Sequence, residues 1–587
     1  MREAGALGDE AETEADAAGA GAGSTLPRSR TLPEPAPHRA ASAPGGVRTR
    51  RSDGIAAVTT TLQPPSAEAA GRGGGSDDGG VPRRPRIAAR VAGFFARERP
   101  YVVACAVLVA LLLAVMRPMP WGDDLTLHIS VLRRLLANPL HPGNPVVDVG
   151  GGSAYYSPYT VTLALLGKPF GLSAISLYRF AMLANGLLLL SGLYRFVRTL
   201  TPAVWAPPLA LIGLLLWWGT TAFCFSGFLS LDSLCDCVAY PCTIGTALAL
   251  HLWAWLNGSE LRWRLMAGLG ALLGALLLVH QFTGLSACVG CVAILAARHR
   301  DVRDRRVIRA LLLGLAVCTI VILIWPYYHL WSVGQGQLHL LDPIHHVLYQ
   351  HIDTWYLLAL PGLLALALRL RRSQTDVLVL MFAGIGAVVV LGWLGGHWSF
   401  GRSWPMLMFT VQVALAVHVA ELPRGGRLRF AWGVPVALAT ALGLWAQSGT
   451  LLLVLPAPLN TDVADVIGAH PGVEAIPHED WLEHYLKPTD VALADVQLSQ
   501  MEIAAHGAYN VSSPWYLPEL SEAEDDVRAD AMKTMLSANT APAERAALLT
   551  RYHVGWVLLI ADETLPAGFP AEQVAKGGIF VLYRVAA

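Results

Sequence analysis

Directly behind the first hydrophobic run of the chain, residues 101–116, stands Trp121-Gly122-Asp123-Asp124. Carboxylates at the face of a bilayer carry a desolvation cost unless they meet water, a partner or a metal, so an acid pair there points to chemistry. A carboxylate in that position can take a proton from an attacking hydroxyl. Two side by side also suit a hard divalent cation, without requiring one. Either could instead cap the helix that follows, a place aspartate favours; a pair exceeds what a cap needs.

The residues that follow extend the same picture. Leu125, Ile129, Leu132 and Leu136 recur at helical spacing, with Arg133 and Arg134 interposed and Asn138-Pro139 closing the run. This predicts an amphipathic helix lying flat in the membrane interface. On it, His128 shares a face with Asp124, as a participant in chemistry or as an ordinary polar helix residue. Next comes Asp148-Val149-Gly150-Gly151-Gly152-Ser153-Ala154-Tyr155-Tyr156-Ser157-Pro158-Tyr159. Its glycines permit close backbone approach to a ligand. Tyr155 and Tyr156 can stack on a sugar or hydrogen-bond to it, or form part of an aromatic interface belt.

Further candidates are weaker. Asp342, His345, His346, His351 and Asp353 have the donor types of a transition-metal site, but their spacing matches no defined ligand set and reads as a solvated loop or cleft wall. Asp232 and Asp236 lie in an earlier outer loop, with Cys224, Cys235, Cys237 and Cys242 in or beside it, where disulfides are permitted.

The elements that must position these residues are membrane helices. Over 587 residues, 54% are hydrophobic and 15% charged, and the net charge is +0. Several apolar runs approach the roughly 20 residues that span a bilayer. The chain therefore reads as a polytopic α-helical membrane protein, and nucleic acid is excluded as a partner. Arg83, Arg84, Arg86, Arg90, Arg97 and Arg99 precede the first span and place that end in the cytoplasm, so Asp123 and Asp124 face outward. Ten more spans are expected near 174–197, 203–220, 238–256, 265–281, 284–297, 309–330, 354–370, 376–394, 402–421 and 430–455. With the first this makes about 11 transmembrane helices, and every second junction is rich in arginine.

Residues 1–95 lack hydrophobic periodicity and read as a disordered cytoplasmic tail. Residues 96–459 form the membrane module, with its informative first outer loop at 117–172. Residues 460–587 read as a small extracytoplasmic α/β domain with strands near 491–497, 553–560 and 579–585 and helices near 520–537 and 541–551. No catalytic motif stands out in it, and its expected role is binding or a lid. The preponderance of arginine over lysine, with abundant Ala, Gly and Pro, hints at a GC-rich bacterial genome, hence a plasma-membrane location.

An anchor helix, an Asp-Asp pair opening the first outer loop, an amphipathic juxtamembrane helix, many further spans and an outward C-terminal domain together resemble the GT-C superfamily of integral-membrane glycosyltransferases. Its members include protein mannosyltransferases and actinobacterial arabinofuranosyltransferases of the cell wall. Leu278-Val279-His280-Gln281-Phe282-Thr283 is similar to a His-Pro-x-Thr-like stretch in some members, with Gln281 in place of the proline.

The resemblance implies transfer of a sugar from a polyprenyl-phosphate donor to a glycan, lipid or protein acceptor on the outer side. The first-loop acid would be the general base, His280 a substrate contact, and a cation would meet the leaving phosphate. Arg402, in the loop Gly395-Gly396-His397-Trp398-Ser399-Phe400-Gly401-Arg402, is the first candidate for that cation and Arg179 the second. Each has a plainer alternative, a snorkelling interface residue for Arg402 and an intramembrane ion pair for Arg179. Metal use differs among related proteins, and none is assigned. Two other classes stay open. A transporter or flippase of lipid-linked sugars would place charges near the midplane and show inverted repeats, neither of which is evident; a non-catalytic assembly or sensor protein would rely on its C-terminal domain.

Overall fold

A computed structural model of the chain describes residues 93–586 apart from 118, 120–122, 332–340, 424, 456–477 and 518. The expected disordered tail lies outside the described residues up to 92, and the side chain of Asp123 is likewise outside them.

A helix stands at or near each expected span, but among the described residues fewer than the expected 11 or so are long and apolar enough to cross a membrane. In chain order the main helices are α1 (Arg99–Met116), α2 (Asp123–Ala137), α3 (Pro158–Gly167), α4 (Ala174–Leu200), α5 (Ala206–Leu216), α6 (Leu231–Cys237), α7 (Pro241–Gly258) and α8 (Trp263–Val279). They continue as α9 (Gln281–Ala297), α10 (Arg305–Leu323), α11 (Asp342–Gln350), α12 (Leu360–Arg372), α13 (Val377–Gly395), α14 (Trp404–Glu421) and α15 (Arg427–Ala446). Among the described residues, 6 helical stretches are long and apolar enough to cross a membrane, with α14 counted together with the turn before it. A seventh arises if α6 and α7, bent by 111°, are one broken span. The apolar helices α5, α8 and α9 are shorter, and α12 carries Arg369, Arg371 and Arg372 in its last turn.

Local chemistry sets the helix ends. Ser157 and Ser173 cap α3 and α4 by accepting from the Thr160 and Ser176 amides. Asp376 caps α13, which stops at Gly396 in the left-handed conformation, φ 68°. The apolar helices pack through small residues: a Cβ on Gly270 of α8 would lie 2.0 Å from the Gly314 carbonyl of α10. Helix α14 is buried along almost its whole length, whereas Val107, Leu315, Leu391 and Trp445 of α1, α10, α13 and α15 are exposed, an apolar outer surface suited to hydrocarbon.

The C-terminal part is a five-stranded sheet with order β2-β1-β3-β5-β4. Its strands are β1 (Val491–Leu493), β2 (Tyr509–Asn510), β3 (Val554–Ile560), β4 (Ala571–Gly577) and β5 (Phe580–Val585), with helices α16 (Gln497–Ala505), α17 (Glu522–Leu536) and α18 (Pro542–Arg551) between them. β1 pairs parallel with β2 and β3, and β5 pairs antiparallel with β3 and β4. Strands 553–560 and 579–585 and both expected helices are found within a residue or two. The expected strand 491–497 is shorter because the chain turns into α16. β4 was not foreseen: Ala571–Gly577 is mostly exposed at the sheet edge and lacks the apolar alternation of a half-buried strand.

The first outer loop and this sheet form one continuous structure. The Asn510 amide of β2 donates to the Val146 carbonyl at 2.7 Å, and Val147 forms a parallel bridge with Asn510. Helix α2 was expected to lie flat in the interface with one face to lipid. Instead Leu127, Val131 and Leu135 are buried as fully as Ile129 and Leu132, and α3, α4 and α16 all pack against the helix. Arg133 pairs with Glu483, and Arg134 reaches the Pro488 carbonyl while its guanidinium lies 3.4 Å from the centre of the Tyr509 ring.

Candidate active site

The first turn of α2 carries Asp124, and one turn later His128 is buried among aromatic rings, 4.8 Å from Tyr240, 6.1 Å from Tyr155 and 6.4 Å from Tyr178. Tyr178 donates to the His128 carbonyl at 3.1 Å, which fixes that turn of the helix. Burial lowers the His128 imidazole to about 4, so it is neutral at physiological pH. Its Nδ1 has no hydrogen-bond partner among the described residues.

Arg402 arrives from the turn Trp398–Ser403 that leads into α14. Asp342 accepts from both the Ser399 amide and hydroxyl at 2.8 Å, and His345 Nδ1 lies 3.0 Å from the same hydroxyl. These bonds seat the turn against α11. The Arg402 guanidinium then lies 4.9 Å from the Phe225 ring centre and 5.7 Å from that of Phe282, held between two aromatic faces in cation–π contact. It stands within electrostatic reach of Asp124. Asp124 is open to solvent yet encircled by protein. That enclosure raises its carboxyl above the usual carboxylate range, and Arg402 pulls it the other way.

A second acid faces the first. Asp236 on α6 accepts from the Cys237 and Cys224 thiols at 3.3 and 3.5 Å through Oδ2, while Oδ1 has no partner among the described residues. Asp236 and Asp124 feel each other's charge. The donor atoms of Cys224, Asp236 and Cys237 lie within 4.8 Å of one another, a group that could hold a metal ion. All eight cysteines are free thiols, so the outer-loop disulfides that the sequence permitted are not formed.

Of the residues singled out from sequence, Asp124, His128, Tyr155, His280 and Arg402 converge. His280 caps α9, its Nδ1 accepting from the Thr283 amide at 3.3 Å, within electrostatic reach of Arg402 and His128. His345 from the His/Asp stretch joins them, buried at 5.7 Å from Phe282. Two do not converge. Tyr156 points away from Asp124: its hydroxyl donates to the Gly143 carbonyl at 2.9 Å, and its ring is 5.9 Å from Tyr327. Arg179 is exposed on α4, its nearest partner the Arg117 carbonyl at 3.5 Å. Of the loop's glycines Gly152 serves backbone packing, since a Cβ there would lie 1.8 Å from the Tyr327 carbonyl oxygen, whereas one on Gly150 or Gly151 would meet nothing within 4 Å.

Four residues were missed or undervalued. Tyr240 and Asp236 flank the break between α6 and α7, and the signal for them was polar groups beside Pro241 in an apolar span. Glu519 and Tyr516 come from the C-terminal part and act electrostatically on Tyr155; Glu519 is bonded by Ser153 and the Ala154 amide of the first outer loop. No periodicity marks that segment. Two cavities of about 630 and 1030 Å³ lie elsewhere, among Arg195 and Arg198 and among Arg262, Arg298 and Arg309, and hold none of these residues.

No protein-family model matches the chain, and no curated protein is similar to it in sequence. Among solved structures, the chain is similar to the arabinofuranosyltransferase AftD from Mycobacteria, at 16% identity and a TM-score of 0.51, over 83% of this chain and 40% of that one. It is also similar to the archaeal oligosaccharyltransferase AglB from Archaeoglobus fulgidus, in complex with an inhibitory peptide and a dolichol-phosphate, at 10% identity and a TM-score of 0.46, over 78% of this chain and 69% of that one. The AftD likeness shows a shared fold, and this chain spans less than half of AftD's length.

Proposed function

We propose that the chain is a membrane glycosyltransferase that moves a sugar from a polyprenyl-phosphate donor to a glycan, lipid or protein acceptor on the outer face of a bacterial plasma membrane. Its eleven spans would lie within residues 96–459, with 1–95 in the cytoplasm and 460–587 outside. The observation that carries this reading is the approach of Arg402 to Asp124, from loops far apart in sequence, in a setting where aromatic rings and unmet polar atoms surround both.

A lipid-linked donor keeps its tail in the bilayer and its phosphate at headgroup level, where an outer loop can meet it. Asp124, with Asp123 beside it in sequence, takes the proton from the acceptor hydroxyl as that oxygen attacks the anomeric carbon. The bond from that carbon to the phosphate oxygen breaks, its electron pair stays on the phosphate, and the anomeric centre inverts. Arg402 stabilises the departing phosphate, the only cationic candidate of the two that faces Asp124. Tyr155, Tyr240 and neutral His128 offer a face for the sugar ring. A divalent cation at Asp124 would neutralise charge between acid and phosphate; the proton transfer described does not require it.

The test is incubation of the purified full chain with a panel of polyprenyl-phosphate sugars and candidate acceptors, read by mass spectrometry. A new glycosidic product that requires Asp124 supports the reading. Movement of a lipid-linked sugar across vesicles without bond formation would replace it with transport.

A further inference from the structure

A second polar cluster lies away from these residues, where the chain returns from 456–477 to the C-terminal sheet. Glu502 on α16 is fully buried, and His506 follows it at i+4, one turn along the same helix face. His506 Nε2 lies 3.0 Å and His478 Nδ1 3.1 Å from the same oxygen, Glu502 Oε1. The two imidazoles stack at 4.9 Å between ring centres and 15° between planes. One donor atom from each of His478, Glu502 and His506 falls within 4.8 Å of the others. We infer that these three side chains form a zinc site, unrelated to sugar transfer, that ties the incoming chain to α16.

The donor set is the first reason. Two imidazoles and one carboxylate match zinc, and a water would complete the tetrahedron. Spacing is the second: ligand bonds of 2.0–2.1 Å at tetrahedral angles separate donor atoms by roughly 3.3 Å, close to the two nitrogen–oxygen distances here. The surroundings are the third. Zinc-bound histidines characteristically present their other ring nitrogen to a carboxylate that fixes tautomer and orientation. His478 Nε2 lies 3.4 Å from Asp480 Oδ1. The Glu479 amide, between these two, donates to Glu502 Oε1 at 2.8 Å, so residues 478–480 are wound around the carboxylate as a ligand loop.

The position gives the site a structural task. His478 opens the described segment that leads to Glu483, the partner of Arg133 on α2, and α16 packs against α2. An ion joining His478 to α16 would fasten both supports of the helix that bears Asp124.

The experiment uses the full chain in detergent, stripped with EDTA and dialysed against micromolar zinc, with bound metal measured by mass spectrometry. The wild type is expected to retain one zinc per chain, as are Asp124→Asn and Asp236→Asn, which remove carboxylates outside this cluster, the latter from the Cys224, Asp236 and Cys237 group. Glu502→Gln keeps the carbonyl acceptor for the Glu479 amide, and should fold and lose the bound equivalent. Asp480→Ala, at an exposed residue, should weaken zinc binding by about 10- to 100-fold. With cobalt in place of zinc, the wild type should show the visible absorption of a four- or five-coordinate site, absent in Glu502→Gln. If Glu502→Gln does not fold, His478→Gln serves in its place. Zinc content equal in the wild type and the ligand variants, or lost only in Asp124→Asn or Asp236→Asn, overturns the site and leaves Glu502 as a carboxylate held by two histidines.

Discussion

Asp124 and Glu502 are both enclosed carboxylates on helices packed together, and the fold treats them in opposite ways. Glu502 is met on every side described. Burial alone would raise its carboxyl, but the bonds from His478 and His506 outweigh it and hold the group down at about 2. Asp124 is raised, because enclosure outweighs the single guanidinium of Arg402. Around Asp124 other valences stay open, at Asp236 Oδ1 and His128 Nδ1. Leaving a buried polar atom unmet costs about 1–3 kcal/mol, and His506 Nδ1 beside Glu502 is also open among the described residues. The contrast therefore lies in the carboxylates themselves: Glu502 is held by its neighbours as a structural tie requires, whereas Asp124 meets one distant guanidinium and stays available to take a proton.

The sharpest way to break that comparison is Asp124→Asn. If Asp124 is the base, sugar transfer falls about 10²- to 10⁴-fold, while membrane insertion and thermal unfolding match the wild type. Turnover of lipid-linked sugar gives the first number and a melting curve the second. An active Asp124→Asn protein would make the open valences a packing defect.

Arg402→Gln should be next in size, with a loss of about 10²- to 10³-fold if the guanidinium stabilises the departing phosphate. It also carries a signature in pH. A base works deprotonated, so activity is present above the Asp124 pKa and is lost as pH falls through it. Arg402 lowers that pKa; without it the carboxyl rises further, and the acidic limb of kcat/KM moves to higher pH. A lower rate with an unmoved limb would mean that Arg402 does not act on Asp124.

How much of this contrast the sequence carried depends on the physics behind each signal. The apolar runs were readable because hydrophobicity over a bilayer's thickness leaves one interpretation, and Asp124, His128 and Arg402 were readable as types in the wrong solvent. Their convergence was not, since it depends on which loops the packing gathers; Arg179 and Tyr156 had equal claims and turn elsewhere. The apolar stripe of α2 could not say whether lipid or protein would cover it, because both are served by the same leucines. Glu502 and His506 showed an i,i+4 pair, but His478 joins them only through the fold. Glu519 lies in a segment without period.

A smaller effect is expected at Gly152, whose hydrogen faces the Tyr327 carbonyl. In Gly152→Ala a Cβ would stand 1.8 Å from that oxygen, so the outer loop must shift. Overpacking of this kind costs about 1–3 kcal/mol. Because Ser153 and the Ala154 amide hold Glu519 next door, the shift should raise KM for acceptor more than it lowers kcat. An unchanged KM with a lowered melting temperature would confine the loop to a scaffold role.

The smallest change expected is Arg133→Ala, and it separates two ways of joining the sheet to the membrane module. Arg133 pairs with Glu483, whose side chain is 47% exposed. An ion pair so open to water contributes about 0.2–1 kcal/mol, whereas α2, which packs against α16, buries Leu127, Val131 and Leu135 nearly completely. Burial of a large apolar side chain is worth roughly 1.5–3 kcal/mol, so the apolar face should dominate. Arg133→Ala should lower the unfolding free energy by less than about 1 kcal/mol, with the difference shrinking at high salt as screening removes the pair from the wild type as well. A larger, salt-independent loss would assign the join to the guanidinium and its aliphatic stem, and α2 would then be positioned from its arginine face, the face that also carries Arg134 onto Tyr509.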